Sequence, residues 1–310
     1  MPTATLPDPK IATTATPAGG VAGKPPVDTK ALVTEAVKKV TTIATLPEVT
    51  TRIVATVEDP KSTASQLHKI VAHDPALVTR ILKVVNSAFY GLPGQIGSVE
   101  RAIVLLGLNA VKNIAVAASL GQLFRGVKLC EGFTAKDLWT HCIAVAVTAR
   151  ELAKQMKLPI ADEAFLAGLI HDIGILVALH VYPEKLKAVC EKAKATGGEF
   201  CAIEREICGV DHQQLGMGLA EHWKFTRACQ LVAGYHHNPS GLADSSRVLV
   251  AVVYAADTIC AQQNRGFNLT AVHQKLEQTA LEDAGISGAV IERTQANLEN
   301  LIANAASILA

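Results

Sequence analysis

His171 and Asp172 stand side by side inside an apolar run, Ala164–Tyr182. A carboxylate in such a setting is costly to bury unless it is paired or coordinates a metal. Together the two types suit a divalent ion: imidazole favours Zn, Fe or Ni, and carboxylate favours Mn or Mg. Neighbours on a helix cannot face the same way, but both can reach one ion if the helix axis lies beside it. His141, His212, His236, His237 and Asp257 are further candidates, each among apolar neighbours on other predicted helices. The chain has ten histidines, so some clustering arises by chance, and for any one alone a structural hydrogen bond is the simpler role.

The elements that must position these groups read as helices. The 310 residues suggest about two lobes, at roughly 100–200 residues each. Hydrophobic residues reach 49% and aromatics only 4%, so the core is aliphatic. A net charge of +1, from 29 basic and 28 acidic residues, gives no basic excess for nucleic acid or an anionic membrane. Seven cysteines, an odd number with no C-x-x-C pair, argue against a disulfide framework or zinc ribbon and for a reducing cytoplasm. No secretory signal pattern is visible. Placing His171-Asp172 at mid-bilayer would cost roughly 3 kcal/mol or more for the carboxylate alone. The run is therefore expected to be a buried helix of a soluble protein, and no membrane partner is expected.

Residues 1–27 are rich in Pro, Ala, Thr and Gly without a period and read as a disordered tail. Beyond them Leu46, Val49, Ile53 and Val57 recur on one helical face, with Pro47 in its first turn. Thr63 with Gln66 forms a capping-box pattern, and Asp74-Pro75 reads as an N-cap followed by an N1 proline. Gly91 and Pro93 close that helix, Ser98 caps the next, and Gly107 permits a break. The polar stretch 125–133 suggests a lobe boundary, and Thr134 with Asp137 starts a helix through Leu138–Met156. Asp162 is expected to start another, running through His171. Further helices are expected near 183–196, 211–223, 226–237, 244–263, 270–280 and 287–309, with Gly197–Gly209 the least defined stretch. Strand signals are nearly absent. The expected fold is all-α: residues 28–128 form an N-terminal helical lobe, 129–265 a second helical lobe, and 266–310 C-terminal helices. Trp139 and Trp223 are expected as core anchors between lobes.

Two stretches resemble a known family. The first runs from Asp74-Pro-Ala-Leu through Asn86-Ser-Ala-Phe-Tyr-Gly91 to Ser98-Val-Glu-Arg-Ala-Ile-Val-Leu-Leu-Gly107. It resembles the N-terminal half of the HDOD family of bacterial signalling proteins. The second comprises Ala167-Gly-Leu-Ile-His-Asp-Ile-Gly174, Asp211-His212 with Gly216 and Trp223, and His236-His237-Asn-Pro239. It resembles the HD-like half of that family, so the resemblance covers roughly residues 40–260. It implies an all-helical protein with an N-terminal lobe packed on an HD-like lobe, and a regulator whose partners are other signalling proteins. The order His141, His171-Asp172, Asp257 is similar to that of the wider HD superfamily, where such residues hold a metal that activates water for phosphoester hydrolysis. His212, His236 and His237 resemble further metal-binding histidines of the HD-GYP phosphodiesterases, as second-metal or supporting groups. The chain departs from those enzymes twice. Ile175 stands where they carry a phosphate-contacting Lys, and Asn238-Pro239-Ser240-Gly241 stands where they have Glu and a Gly-Tyr-Pro segment.

Three readings follow. The leading one is a non-catalytic signalling module acting by protein–protein interaction, with a retained or vestigial metal site for Fe, Mn, Zn, Ni or Mg. The second is a metal-dependent HD-type phosphohydrolase acting on a nucleotide or phosphodiester. The third is a metal-free adaptor. Asn86 and Ser87 read either as a helix C-cap and turn or as part of a partner surface. The oligomeric state, and whether 266–310 packs back on the second lobe, stay open.

Overall fold

Local capping chemistry starts several of the helices that frame the molecule. In the computed structural model, which describes residues 28–43, 48–58, 61–87, 90–124, 128–242 and 244–309, the first are α1 (Thr29–Ile43) and α2 (Glu48–Glu58). The tail 1–27, Leu46 and Pro47 lie outside the described residues. Thr63 and Gln66 form the expected reciprocal capping box at α3 (Ala64–Ala72). The Asp74 carboxylate accepts from the Leu77 amide at 2.9 Å, ahead of Pro75 in α4 (Pro75–Val85). Ser98 caps α5 (Val99–Leu106), and Gly107 separates it from α6 (Leu108–Leu120). Every residue of α6 from Ala110 to Leu120 is buried, so this helix is the axis of the N-terminal half.

A short antiparallel hairpin follows, β1 (Lys128–Cys130) with β2 (Phe133–Thr134), the only sheet among the described residues. Thr134 then caps α7 (Ala135–Gln155) through a capping box with Asp137. Trp139 on α7 stacks on Phe124 at 4.8 Å. The chain continues through α8 (Ala161–Ile170), α9 (Ile173–Val181), α10 (Pro183–Thr196), α11 (Phe200–Cys208), α12 (His212–His222), α13 (Arg227–Tyr235), α14 (Asp244–Gln262), α15 (Gln278–Asp283) and α16 (Gly288–Leu309). The described chain is thus all-α apart from the hairpin. The segment Ala161–Val181 is long and apolar enough to cross a bilayer but 89% buried inside the protein, which makes it a core segment.

Three local expectations change. The helix expected from Asp162 through His171 starts after Ile160, which makes no side-chain cap; Asp162 lies in its first turn, and its carboxylate takes a bond from the Arg150 Nε at 3.3 Å. The apolar run is not one helix: it breaks at His171-Asp172, which form the turn between α8 and α9. No helix spans 270–280, because α15 begins only at Gln278. Residues 263–277 run as an irregular strap whose bonds go elsewhere: the Phe267 amide donates to the Asp137 carbonyl of α7 at 3.0 Å. The less defined stretch 197–209 resolves into α11, flanked by Gly197 and Gly209.

The two halves meet through polar contacts at their seam. Arg150 of α7 lies over the Tyr90 ring at 4.8 Å, and Asn113 of α6 donates to the Asp162 carbonyl at 3.0 Å. Asn86 ends α4, its amide donating to the carbonyls of Leu82 and Ile96 and accepting from the Ile96 amide at 2.6 Å. Ser87 donates to Val84 O at 2.7 Å. Helix α16 packs back on α7 and α4, with Gln155 donating to Thr294 at 3.2 Å.

Candidate metal centre

Seven side chains from five places in the chain converge on one buried point. His141 comes from the second turn of α7, His171-Asp172 from the α8–α9 turn, His212 from the start of α12, His236-His237 from the end of α13, and Asp257 from α14. All except His237, which is nearly enclosed, are fully buried. Two glycines allow the approach. A Cβ on Gly174 would lie 1.8 Å from the His212 carbonyl oxygen, so only glycine lets α9 press against the start of α12. Gly266 has φ +74°, and a Cβ there would lie 2.3 Å from the Asp137 carbonyl and 2.6 Å from the His141 amide. It lays the strap directly on α7.

The outward-facing bonds fix which nitrogen of each imidazole carries a proton. His141 Nδ1 meets the Arg265 carbonyl at 3.0 Å, His171 Nδ1 the Gly168 carbonyl at 2.7 Å, and His236 Nδ1 the Val232 carbonyl at 3.1 Å. His212 Nδ1 meets Glu204 Oε2 at 2.6 Å. His237 Nδ1 meets Gln274 Oε1 at 2.8 Å, an amide held by its own donation to Thr258 at 2.6 Å. Each partner is an acceptor, so each Nδ1 is a donor and each neutral ring presents the Nε2 lone pair inward.

Those lone pairs face other acceptors. His141 Nε2 lies 3.0 Å from Asp257 Oδ1, and His171 Nε2 lies 3.5 Å from Asp172 Oδ2 and 3.8 Å from Asp257 Oδ1. His212 and His236 each place Nε2 3.4 Å from Asp172 Oδ1. His212 Nε2 is also 3.3 Å from His236 Nε2 and 3.1 Å from His237 Nε2. His171 Nε2, Asp172 Oδ1 and Asp257 Oδ2 are buried with no hydrogen-bond partner. Asp172 lies between two groups, with Oδ2 towards His141 and His171 and Oδ1 towards His212 and His236. The arrangement is a buried ring of acceptors, and such a ring is stable only around positive charge.

Protons alone do not supply that charge evenly. Burial works against the ionised form of Asp172, yet His171 and His236 hold it well below the usual carboxylate range. Burial likewise opposes ionised Asp257, but His141, His171 and His237 bring it to about 2. Burial would depress His171, and Asp172 and Asp257 outweigh it upward. The same holds more strongly for His212, raised by Glu204 and Cys201. Burial pushes Glu204 up as well. In contrast, burial and neighbouring imidazoles keep His236 and His237 below the ordinary histidine value. These two rings stay neutral, with Nε2 lone pairs free to bind a cation. The donor set of imidazole and carboxylate fits a borderline-to-hard divalent ion.

The structure thus brings His141, His171, Asp172, Asp257, His212, His236 and His237 together. Asn86 and Ser87 lie on the N-terminal half and take no part. Sequence reasoning missed Glu204, Gln274, Thr270 and the Arg265 carbonyl, which orient the inner groups; Thr270 reaches Asp172 Oδ2 at 3.5 Å. A capping box between Asp211 and Gln214 fixes His212 as the first residue of α12. Ile175, in the first turn of α9, is fully buried.

Comparison with known proteins agrees with this architecture. The family model "HDOD domain" matches residues 43–239. An HDOD-domain protein of unknown function from Geobacter sulfurreducens superposes with a TM-score of 0.75 at 21% identity, covering 91% of this chain and 99% of that one. A Shewanella amazonensis protein provisionally described as a phosphohydrolase superposes at 0.71 with 25% identity, covering 90% and 98%. An uncharacterised Treponema pallidum protein is 26% identical over 217 residues, 69% of this chain; the chain spans 41% of that relative's length.

Proposed function

The chain belongs to the HDOD family, and from that premise we propose that it is a regulatory module of bacterial signal transduction built around a divalent-metal centre, acting through other signalling proteins rather than through turnover. The observation that carries the metal is the tautomer pattern: five imidazoles commit Nδ1 outward, and their Nε2 lone pairs surround Asp172 and Asp257. His141, His171, Asp172 and Asp257 would hold one ion, and Asp172, His212, His236 and His237 a second. A divalent cation there supplies Lewis-acid polarisation of a ligand oxygen. The arrangement of the chain's own residues speaks for binding over hydrolysis. Ile175 is a buried aliphatic group where a phosphate-contacting cation would stand, and it can neither orient a phosphate nor offset the charge that develops on it. The free state of all seven cysteines agrees with a reducing, cytoplasmic setting.

A second reading, a metal-dependent phosphohydrolase, is favoured by the likeness to the Shewanella protein. Two measurements on one preparation separate the readings. Protein purified without chelator is expected to hold about two divalent ions per chain by elemental analysis. It is expected to leave a cyclic dinucleotide intact by chromatography. Absence of bound metal would favour an adaptor. Hydrolysis that Asp172→Ala abolishes in a still-folded protein would replace the regulatory reading with the enzyme.

A further inference from the structure

Two of the cysteines meet each other outside the metal centre. Cys130 ends β1 and Cys190 lies on α10, and the strand packs against that helix. Their side chains share a hydrogen bond, in which the Cys190 thiol donates to the ionised Cys130 sulfur. Both residues are buried. The groups around Cys130 are nevertheless at the surface: Glu131 and Gly132 of the hairpin turn are exposed, and so is Lys194. A small oxidant reaches the sulfur by passing this turn.

A tethered cation stands beside the pair. Lys194, one turn beyond Cys190 on α10, donates from Nζ to the Glu131 carbonyl, the same oxygen that Cys130 Sγ meets at 3.7 Å. Its Nζ also lies over the Phe133 ring, 5.0 Å from the centroid. The bond from Cys190 holds the Cys130 thiol below its ordinary value against burial; Lys194 and Lys128 add to the lowering, and Glu191 opposes it. The same bond, burial and the charge of ionised Cys130 push the Cys190 thiol up, with Lys194 opposing and Glu204 adding. Burial also pushes up the thiols of Cys142, Cys201, Cys208 and Cys260. Cys130 therefore has the thiolate character of a reactive cysteine, with a protonated thiol in contact with it.

We propose that Cys130 and Cys190 form a peroxide-sensitive dithiol that closes into a reversible disulfide between the hairpin and α10. The Cys130 thiolate attacks one oxygen of hydrogen peroxide. An S–O bond forms, the O–O bond breaks, and the departing hydroxide takes up the proton that Cys130 had released and leaves as water. The resulting sulfenic acid is neutral, so the charge that helped to hold the Cys190 proton is gone. The Cys190 sulfur then attacks the Cys130 sulfur. An S–S bond forms, the S–O bond breaks, and the hydroxide leaves with the Cys190 proton as a second water. The two thiols lose two electrons and the peroxide gains them. Exchange with a small thiol restores the reduced pair, as for the transient disulfides of a reducing cytoplasm. The hairpin begins a row of ring contacts: Phe133 meets Phe267 at 5.2 Å, Phe267 meets Phe200 at 6.0 Å, and Phe200 meets His212 at 5.9 Å. Closing the disulfide thus acts on the outer end of a row that reaches the centre.

The test is peptide mapping by mass spectrometry, without reductant, of full-length protein treated with hydrogen peroxide and then blocked with N-ethylmaleimide. The expected first product is a cross-linked peptide joining Cys130 to Cys190, which dithiothreitol returns to two free peptides. Cys190→Ser should stop at the sulfenic acid of Cys130, captured by dimedone, and Cys130→Ser should leave Cys190 reduced. Lys194→Gln should slow formation of the cross-link about threefold or more, because less of Cys130 is then thiolate. A first disulfide between other cysteines, or unaltered protein in which Cys130 stays reduced or is captured by dimedone without a cross-link, overturns the pairing. These results are read on the unaltered protein, so they decide the matter even where a variant fails to fold. Equal rates with and without Lys194→Gln overturn the role given to the cation.

Discussion

At the scale of single residues, Asp172 is the hinge of the centre because its two oxygens serve different histidines. Asp172→Asn keeps the shape but replaces one anionic oxygen with a donor. The variant is expected to lose most of its bound metal from both groups while remaining folded, as read by elemental analysis and circular dichroism. Retention of full metal content would show that the ions do not depend on this carboxylate. Proton linkage gives a second expectation. In metal-free protein the raised values of His171 and His212 add stability below the ordinary histidine value, about 6.5. That contribution is lost as pH rises through the raised values. Metal ligation has the opposite sign, because it requires deprotonated rings and strengthens as pH rises. Melting curves between about pH 6 and 9 should therefore fall with pH for chelator-treated protein and hold or rise for metal-loaded protein, by the two opposing linkages. Parallel curves would contradict the ligand set. Asp257 acts at the acid end: its stabilising contribution, present above the ordinary carboxylate value, is lost as pH falls through about 2.

At the scale of elements, the centre depends on how closely α9 meets α12. Gly174→Ala would force a methyl group into the His212 carbonyl, and backbone on both sides leaves no flexible atom to give way. The expected cost is about 3 kcal/mol, at the upper end for overpacking, with loss of metal because His212 moves away from Asp172. Gly288→Ala at the start of α16 is the matched control, since nothing lies near the added methyl. Denaturant titration of both variants checks the contrast; equal stability would mean that the α9–α12 contact is looser than described. The helix boundaries themselves were largely legible. Thr63, Asp74, Ser98 and Thr134 announce helix starts because a cap is a bond between residues two or three apart. The strap was not legible. Ala271, Val272 and Leu276 suggest a helical face, but Gly266 at positive φ and the bond from Phe267 to α7 commit the backbone to a distant partner.

Across the whole molecule, the N-terminal half is joined to the half that carries the centre through Tyr90, Arg150, Asp162 and Asn113. This seam is one of the junctions between the halves, beside the packing of α1 on α9 and α12 and of α16 on α4 and α7. Arg150→Leu removes both the ring contact and the bond to Asp162. Because Asp162 is about one-third exposed, solvent screens part of the loss, and the cost is expected to be modest, about 1–2 kcal/mol. Hydrogen exchange should show faster opening of α4–α6 with metal content unchanged. Uniform loss of protection and of metal would instead mean that the two halves unfold as one unit.

The sequence by itself determined the helical class, most helix starts, and the inner residues of the centre. Caps act over one turn, and a His-Asp pair in an apolar run has few comfortable places to go. Only the tertiary structure decided that the apolar run breaks at that pair, and that Glu204, Gln274 and the Arg265 carbonyl fix the imidazole tautomers. It alone placed Cys190 of α10 against Cys130 of the hairpin. The physical reason is range: local bonds are written in neighbouring residues, whereas the partner of a buried polar atom is chosen by packing among helices that the sequence keeps far apart.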